Sequence, residues 1–148
     1  MDKTVLAYIK VNDSYLMIHK FKDDINHDKY MGVGGHIEPH ENKIEALFRE
    51  IKEETNFDVI HYLEKGTIYF HNDDYDEVMY LFLVDQISGS LGQCDEGELQ
   101  FIPIKDIYSL NMWEGDKYFL PLLEKSDEPY FIFDLFYKGS RLIDVKRR

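Results

Sequence analysis

Three glutamates, Glu50, Glu53 and Glu54, lie within five consecutive residues of the segment REIKEE. At about 100° per residue, a helix places all three in one sector of its surface, beside the apolar sector. Like charges this close destabilise a helix by a few tenths of a kcal/mol per pair. A bound divalent cation reverses that sign, because Mg²⁺ and Mn²⁺ prefer hard carboxylate oxygens. The spacing predicts a metal site, with a merely solvated acidic helix face as the alternative.

The residues around the glutamates favour the metal site. Gly34 and Gly35 indicate backbone that approaches another group closely, and they precede the helix at a distance that lets a carbonyl oxygen reach the same ion. Arg49 is expected to pair with Glu45 one helical turn earlier and so hold the helix in shape.

The stretch from Gly35 to Phe57 resembles the signature of the Nudix hydrolases, G-x5-E-x7-R-E-U-x-E-E-x-G-U, where U is a bulky aliphatic or aromatic residue. The matching positions are Gly35, Glu41, Arg49, Glu50, Ile51, Glu53, Glu54 and Phe57. Asn56 stands where the family has glycine, but asparagine is the other residue that best tolerates the left-handed conformation. A match this long is far more specific than a short glycine motif.

The resemblance implies an α/β fold, an α/β/α sandwich around a mixed β-sheet, formed by residues 1–148 as a single domain. It implies hydrolysis of a nucleoside diphosphate linked to another group, by attack of water on phosphorus, with Mg²⁺ or Mn²⁺ as the cofactor. It assigns the metal to the Gly35 carbonyl, Glu50, Glu53 and Glu54. Arg49 and Glu41 become orienting residues. The general base is either a glutamate of the signature or an acid of a distant loop, for which Glu96 in CDEGE is the candidate.

The second half of the sequence indicates the substrate. The segments NMWEGDKYFLPLL and YFIFDLFYKGSRLIDV resemble the MutT-like branch that hydrolyses oxidised purine nucleoside triphosphates such as 8-oxo-dGTP. By that resemblance Trp113 flanks the purine and Asp116 bonds its polar edge, whereas core packing is the alternative role for Trp113. Two positions depart from the branch: Met31 replaces an asparagine that reads the base, and Gly115 replaces the first of two paired acids.

The phosphate side offers further candidates. Lys20 ends the second strand and is predicted to contact phosphate, or else to be only solvated. Gly34 is expected to lie against the substrate, and His36 stands where many relatives place a lysine. Two alternative functions remain: hydrolysis of ADP-ribose, a dinucleotide or a similar derivative, and nucleotide or protein binding without catalysis. The intact REIKEE segment argues against the second, because binding alone does not need three crowded acids.

Bulk composition limits the partners. The formal net charge of −12 and the pI of about 4.8 disfavour binding to nucleic acid polymers. Cys94 is the only cysteine, which excludes an intrachain disulfide. The first 20 residues contain neither a signal-peptide core nor a membrane span, so we expect a soluble cytoplasmic protein, monomeric or homodimeric, that binds a small nucleotide.

These residues need a scaffold of alternating strands and helices. A hairpin is predicted for TVLAYIKV and YLMIHKF, joined at Asn12-Asp13-Ser14. An amphipathic helix is predicted from about Glu41 to Thr55, with Ile44, Leu47, Phe48 and Ile51 buried. Further elements are predicted as strands at 59–71, 77–87 and 99–104, a helix at about 115–123, and a closing hairpin turned at 138–140.

Overall fold

In a computed structural model that describes all of residues 1–148, nine strands form one mixed sheet. The strands are β1 (Asp2–Val11), β2 (Ser14–Lys20), β3 (Tyr30–Met31), β4 (Val33–His36), β5 (Asp58–Asn72), β6 (Tyr75–Ser88), β7 (Gly97–Pro103), β8 (Phe131–Lys138) and β9 (Arg141–Arg147). The helices are α1 (Lys43–Thr55) and α2 (Asp116–Leu123), with a 3₁₀ helix at Ile104–Ser109 that was not predicted.

The strand order is β3-β2-β1-β6-β5-β8-β9, with β4 beside β1 and β7 beside β2. β1 runs parallel to β6 and β5 parallel to β8, and the other pairs are antiparallel. The mixed sheet is therefore confirmed. β4 pairs with the first half of β1, which places its glycines beside the centre of the sheet.

Both faces of the sheet are covered, because alternate residues of β1 enter two different cores. Leu6 and Tyr8 belong to a core of 19 buried residues that includes the apolar side of α2. Val5, Ala7 and Ile9 belong to a second core of 11 buried residues that includes the apolar side of α1. Since side chains alternate across a strand, this division places one helix layer on each face. The predicted α/β/α sandwich is confirmed.

The predicted turns have the expected backbone. β1 and β2 form a hairpin in which Val11 faces Ser14, and Asn12 adopts the left-handed conformation with φ of 54°. The β8–β9 hairpin turns at Gly139, whose φ is 62°. Asparagine and glycine supply these conformations at low cost.

Helix α1 begins two residues later than predicted, because Asn42 caps it. The Asn42 side chain accepts hydrogen bonds from the backbone N–H groups of Ile44 and Glu45. At the other end Asn56 is left-handed, with φ of 69°, which confirms its predicted role as the helix stop.

The predicted apolar face of α1 is wrong at one position. Phe48 is 43% exposed and packs edge-to-face against Tyr62 at the rim of the core. Ala46 is fully buried instead and belongs to the core of 11 residues.

Neither helix has the length and the apolar composition needed to span a lipid bilayer.

Candidate active site

Arg49 ties α1 to the loop that precedes it. Its guanidinium group donates hydrogen bonds of 2.6 and 3.0 Å to the carboxylate of Glu41, and one of 2.9 Å to the carbonyl oxygen of His36. It also donates to Glu50 at 2.9 Å and to Glu53 at 3.2 Å. The paired guanidinium lowers the pKa of Glu41 to about 2. One arginine thus orders both the helix and its approach loop.

The predicted pair between Arg49 and Glu45 is wrong. The Glu45 carboxylate accepts a 2.9 Å hydrogen bond from the backbone N–H of Asn42, and so completes a capping box. Glu41, in the preceding loop, offers Arg49 a bidentate partner that a single helical turn cannot supply. Loop geometry therefore decides the pairing.

Glu54 is a buried acid with an excess of negative charge around it. Its side chain accepts a 2.8 Å hydrogen bond from the backbone N–H of Gly34, and the residue is only 7% exposed. Burial, together with the nearby charges of Glu50 and Glu96, raises the pKa of Glu54 to about 8. A bound cation would offset this charge. Gly34 was expected to lie against the substrate; it does line a cavity at this site, but its N–H is engaged by Glu54.

The two glycines of β4 allow the close approach that the sequence predicts. A Cβ atom on Gly35 would lie 2.5 Å from a carboxylate oxygen of Glu50, and one on Gly34 would lie 1.9 Å from the carbonyl oxygen of Val5. Any side chain at these positions would push β4 away from β1 and from α1.

The donor chemistry at this end of α1 fits a hard divalent cation. Glu50, Glu53 and Glu54 supply only oxygen donors. Gly35 has no side chain that would displace the Glu50 carboxylate. The three carboxylates do not converge as a ready-made cluster, since Glu50 and Glu53 bond to Arg49 while Glu54 bonds to Gly34. The Glu53 side chain is 60% exposed and is able to turn toward an ion.

A cavity of about 250 Å³, here called the α1 cavity, lies next to Glu54. It is lined by Gly34, Gly35, Lys20 and Glu96, so the fold brings together predicted residues that are distant in sequence. Glu96 lies 3.4 Å from the ammonium nitrogen of Lys20.

Lys22 also lines the α1 cavity, and its ammonium nitrogen lies 3.5 Å from Glu96. Sequence reasoning missed it, because it lies in a polar stretch without periodicity. Its position two residues after Lys20 is the only signal that indicates it.

A second cavity, of about 570 Å³, is here called the aromatic cavity. It is lined by Tyr8, Phe70, Tyr75, Trp113 and Tyr137. Trp113 packs edge-to-face on Phe70 and on Tyr137, with ring centroids 5.3 and 5.0 Å away. Its indole N–H donates a 2.8 Å hydrogen bond to the side-chain oxygen of Asn26. Trp113 is therefore both a core residue and a fixed wall of the cavity.

Asp116 lies in the aromatic cavity as a buried acid without a partner. It is 8% exposed, and its carboxyl group has no hydrogen bond or ion pair with the rest of the chain. Burial raises its pKa to about 7. Next to it, the Gly115 N–H donates to the Tyr137 hydroxyl at 2.7 Å, and a Cβ on Gly115 would lie 2.7 Å from that oxygen. Tyr137 therefore explains the glycine at this departure from the branch.

The two cavities form one groove. Both are lined by Leu6, Asp24, Asn26, Met31, His36, Glu77 and Met79. The His36 imidazole is 68% exposed and lies 3.7 Å from Asp2. Asp24, Asn26 and Glu77 were not among the predicted residues. The groove has an aromatic end and a charged end.

Comparison with known proteins identifies the family. The family model of the NUDIX domain matches residues 2–123, and the chain belongs to the Nudix family of hydrolases, enzymes that act on pyrophosphate bonds and generally use divalent metals. It is 28% identical over 131 residues to the uncharacterized Nudix hydrolase YvcI of Bacillus subtilis (strain 168), covering 84% of this chain and 80% of YvcI.

Solved structures share the fold. A mutator MutT protein from Bacillus halodurans has a TM-score of 0.88 at 20% identity, with 99% of this chain and 97% of that chain covered. The NUDIX domain of Shewanella oneidensis NrtR, complexed with ADP ribose, has a TM-score of 0.65 at 14% identity, with 82% and 83% covered. At these identities the likeness shows the architecture alone.

Proposed function

We propose that the protein hydrolyses oxidised purine nucleoside triphosphates, such as 8-oxo-dGTP, to the monophosphate and pyrophosphate with Mg²⁺ or Mn²⁺. The single groove that joins the aromatic cavity to the α1 cavity carries this proposal. A nucleoside triphosphate has the same polarity, with a flat base at one end and a polyanion at the other. A cavity of about 570 Å³ lies within the usual range for small-molecule sites.

At the charged end, Glu50, Glu53 and Glu54, with the Gly35 carbonyl, would hold the metal. When bound, the metal supplies neutralisation of the phosphate oxygens and acidification of a water molecule. Arg49 holds Glu50 and Glu53 close to that position, and Glu41 holds Arg49.

Lys20 and Lys22 are the two lysines that line the α1 cavity, and we infer that they would bind the phosphates. Glu96 contacts both lysines and its charge raises the pKa of Glu54, and it is the candidate to accept a proton from the attacking water, with Glu53 of the signature as the alternative base.

At the aromatic end, Trp113 would flank the purine and Asp116 would accept hydrogen bonds from it. Oxidation at C8 of guanine converts N7 from an acceptor into an N–H donor, and an ionised carboxylate only accepts. An acceptor in the cavity therefore favours the oxidised base. Met31 offers no hydrogen bond in this role, so the discrimination would depend on Asp116 and its neighbours.

Pyrophosphate release by the purified protein with Mg²⁺ tests the proposal. We expect kcat/KM for 8-oxo-dGTP to exceed that for dGTP by at least about tenfold, the worth of one discriminating hydrogen bond. Equal slow rates on both would remove the role in oxidised nucleotides but leave the hydrolase.

The same assay separates the alternative functions. Faster turnover of ADP-ribose or of a dinucleotide polyphosphate would reassign the substrate. Nucleotide binding without turnover, even in Mn²⁺, would support a binding module instead. We further propose that residues 1–148 act as one domain in the cytoplasm, as a monomer or homodimer, without binding nucleic acid polymers.

A further inference from the structure

The formal charges that line the aromatic cavity are all negative at neutral pH. Asp24, Asp73, Glu77 and Asp116 contribute carboxyl groups, and no lysine or arginine lines the cavity. His36, at the border with the α1 cavity, is the only lining residue able to become positive, and it faces Asp2 at 3.7 Å. A ligand that enters this cavity meets a field that favours positive charge.

Among these acids, Asp116 and Asp73 have no hydrogen bond or ion pair with the rest of the chain, and of the two only Asp116 is buried. Glu77 accepts hydrogen bonds from the Thr4 hydroxyl at 2.8 Å and from the Tyr75 hydroxyl at 2.6 Å. Asp24 accepts one from the backbone N–H of Asn26 at 2.8 Å. Asp116 is only 8% exposed and accepts no hydrogen bond from the chain. A buried carboxylate without a partner is costly, so this side chain is suited to a group that a ligand brings.

The walls of the cavity have the electronic character that attracts cations. Trp113 stands at 84° to both Phe70 and Tyr137, so the rings present faces and edges around one space. Aromatic faces carry negative potential, and a cation within about 6 Å of a ring gains free energy, most of all when it is desolvated. Lys29, which does not line the cavity, lies 5.2 Å from the Trp113 ring centroid, and its charge partly opposes the effect of burial on the pKa of Asp116.

We propose that the aromatic cavity selects purine nucleotides whose base is positively charged, such as guanine alkylated at N7, over neutral purines of the same shape. This inference rests on the proposed function, because it places the base in this cavity. Alkylation at N7 removes an acceptor, leaves the N–H donors of the opposite edge and adds a positive charge. The volume of about 570 Å³ suits a ring system better than a single ammonium group.

A pair of ligands that differ only in charge tests the proposal. The monophosphates of 7-methylguanosine and of 7-deaza-7-methylguanosine have the same shape, but only the first is cationic, and neither has a diphosphate bond to hydrolyse. Calorimetric titration near neutral pH, where the methylated base still carries positive charge and Asp116 is able to ionise, is expected to show about 10- to 30-fold tighter binding of the cationic ligand. Equal affinities, tighter binding of the neutral ligand, or no binding of either would overturn the proposal.

Substitution of the unpartnered acid locates the effect. In Asp116→Asn the shape is kept and the charge removed, so the affinity ratio should fall below about threefold. Asp127→Asn is the matched control, because Asp127 is exposed and lies outside the cavity lining, and its ratio should equal that of the unaltered protein. An unchanged ratio in Asp116→Asn would overturn the assignment to Asp116. If that variant does not fold, the ratio of the two affinities in the unaltered protein still tests whether the cavity selects the cationic ligand.

A kinetic measurement separates this inference from the proposed function. Pyrophosphate release from 7-methyl-GTP, GTP and 8-oxo-dGTP is compared in the unaltered protein with Mg²⁺. Turnover of 8-oxo-dGTP without any preference for the cationic monophosphate refutes the inference alone. A clear preference in binding without turnover of any triphosphate refutes the proposed function and leaves the cation-selective cavity standing.

Discussion

The candidate metal site at α1 and the aromatic cavity are assembled in opposite ways. The candidate metal ligands, the acids of α1 and Gly35 of β4, come from one short stretch of chain, although only Glu54 and Gly35 among them line the α1 cavity. The aromatic cavity takes Tyr8 from β1, Phe70 from β5, Trp113 from the segment before α2 and Tyr137 from β8. Substitutions can therefore change the aromatic cavity and leave the candidate metal ligands intact. This separates the choice of substrate from the chemistry at the phosphates.

The two cavities also treat negative charge differently. Around α1, Arg49, Lys20 and Lys22 lie within 3.5 Å of carboxylates, so most of the acids there have a cationic partner. In the aromatic cavity Asp116 has none. Because Glu53 is exposed and is proposed to hold the metal, its loss should affect activity more than stability, whereas loss of the Asp116 charge should affect stability in a pH-dependent way.

The largest effect is expected from Glu53→Gln. It removes one charged ligand candidate without changing volume, and the side chain is 60% exposed, so the fold should be unaffected. We expect kcat/KM to fall by about 10³-fold or more, which corresponds to roughly 4 kcal/mol of transition-state stabilisation. Pyrophosphate release and thermal unfolding are the measurements. Asp127→Asn is the control, and activity within tenfold of the unaltered protein would remove Glu53 from the site.

Asp116→Asn should change the pH dependence of stability. A carboxyl group whose pKa rises to about 7 on folding binds more protons in the folded than in the unfolded state, so it lowers the free energy of unfolding as pH rises from about 4 to 7. The variant lacks this loss. The free energy of unfolding of the variant, relative to that of the unaltered protein, should therefore increase across this range, by on the order of 4 kcal/mol at most.

Denaturant titrations at a series of pH values measure that difference. The gain is an upper limit because the cavity opens to solvent, which reduces the cost of the charge. Other titrating groups cancel, since they are common to both proteins. A difference in free energy that stays constant between about pH 4 and pH 8 would show that Asp116 is ionised throughout the range, in contrast to its raised pKa.

How far the sequence predicts each cavity follows from the way it is assembled. Periodicity and capping chemistry place α1, and Asn56 ends it as expected. The two errors there, at Phe48 and at the Arg49–Glu45 pair, share a cause. A helical wheel describes one helix alone, whereas the sheet decides which apolar residue is buried and the loop at Glu41 decides where Arg49 bonds.

The aromatic cavity was less predictable. Trp113 and Asp116 were indicated by resemblance, but Phe70 and Tyr137 are ordinary alternating residues of strands, and nothing local tells whether such a residue fills a core or lines a void. Asn26 lies in a polar segment with no pattern, and its role appears only through its bond to Trp113. Long-range strand pairing creates this cavity, and sequence patterns do not encode it.

Asn26→Ala tests whether the aromatic wall is held from the loop side. It removes the side-chain oxygen that accepts a hydrogen bond from the Trp113 indole N–H. Such a bond contributes about 1 kcal/mol of stabilisation. We expect KM for the preferred triphosphate to rise about fivefold with kcat little changed. Asn26→Asp keeps an acceptor oxygen and should restore the orientation of Trp113, as followed by its fluorescence. Equal kinetics in Asn26→Ala and the unaltered protein would show that the bond does not position the wall.

The smallest effect is expected at Asn56, the one departure from the signature. Glycine would relieve the left-handed backbone, with φ of 69°, but would lose the 3.1 Å hydrogen bond from the Asn56 side chain to the Ser90 carbonyl oxygen. These terms oppose each other, so Asn56→Gly should change the free energy of unfolding by less than about 0.5 kcal/mol. Asn56→Ala loses the bond and keeps the strain, and should cost about 1–2 kcal/mol. Denaturant titration measures both, and kcat should stay unchanged in each, because Asn56 ends the helix without lining either cavity. A fall in kcat in Asn56→Gly would mean that Asn56 also positions the catalytic acids and is more than a helix stop.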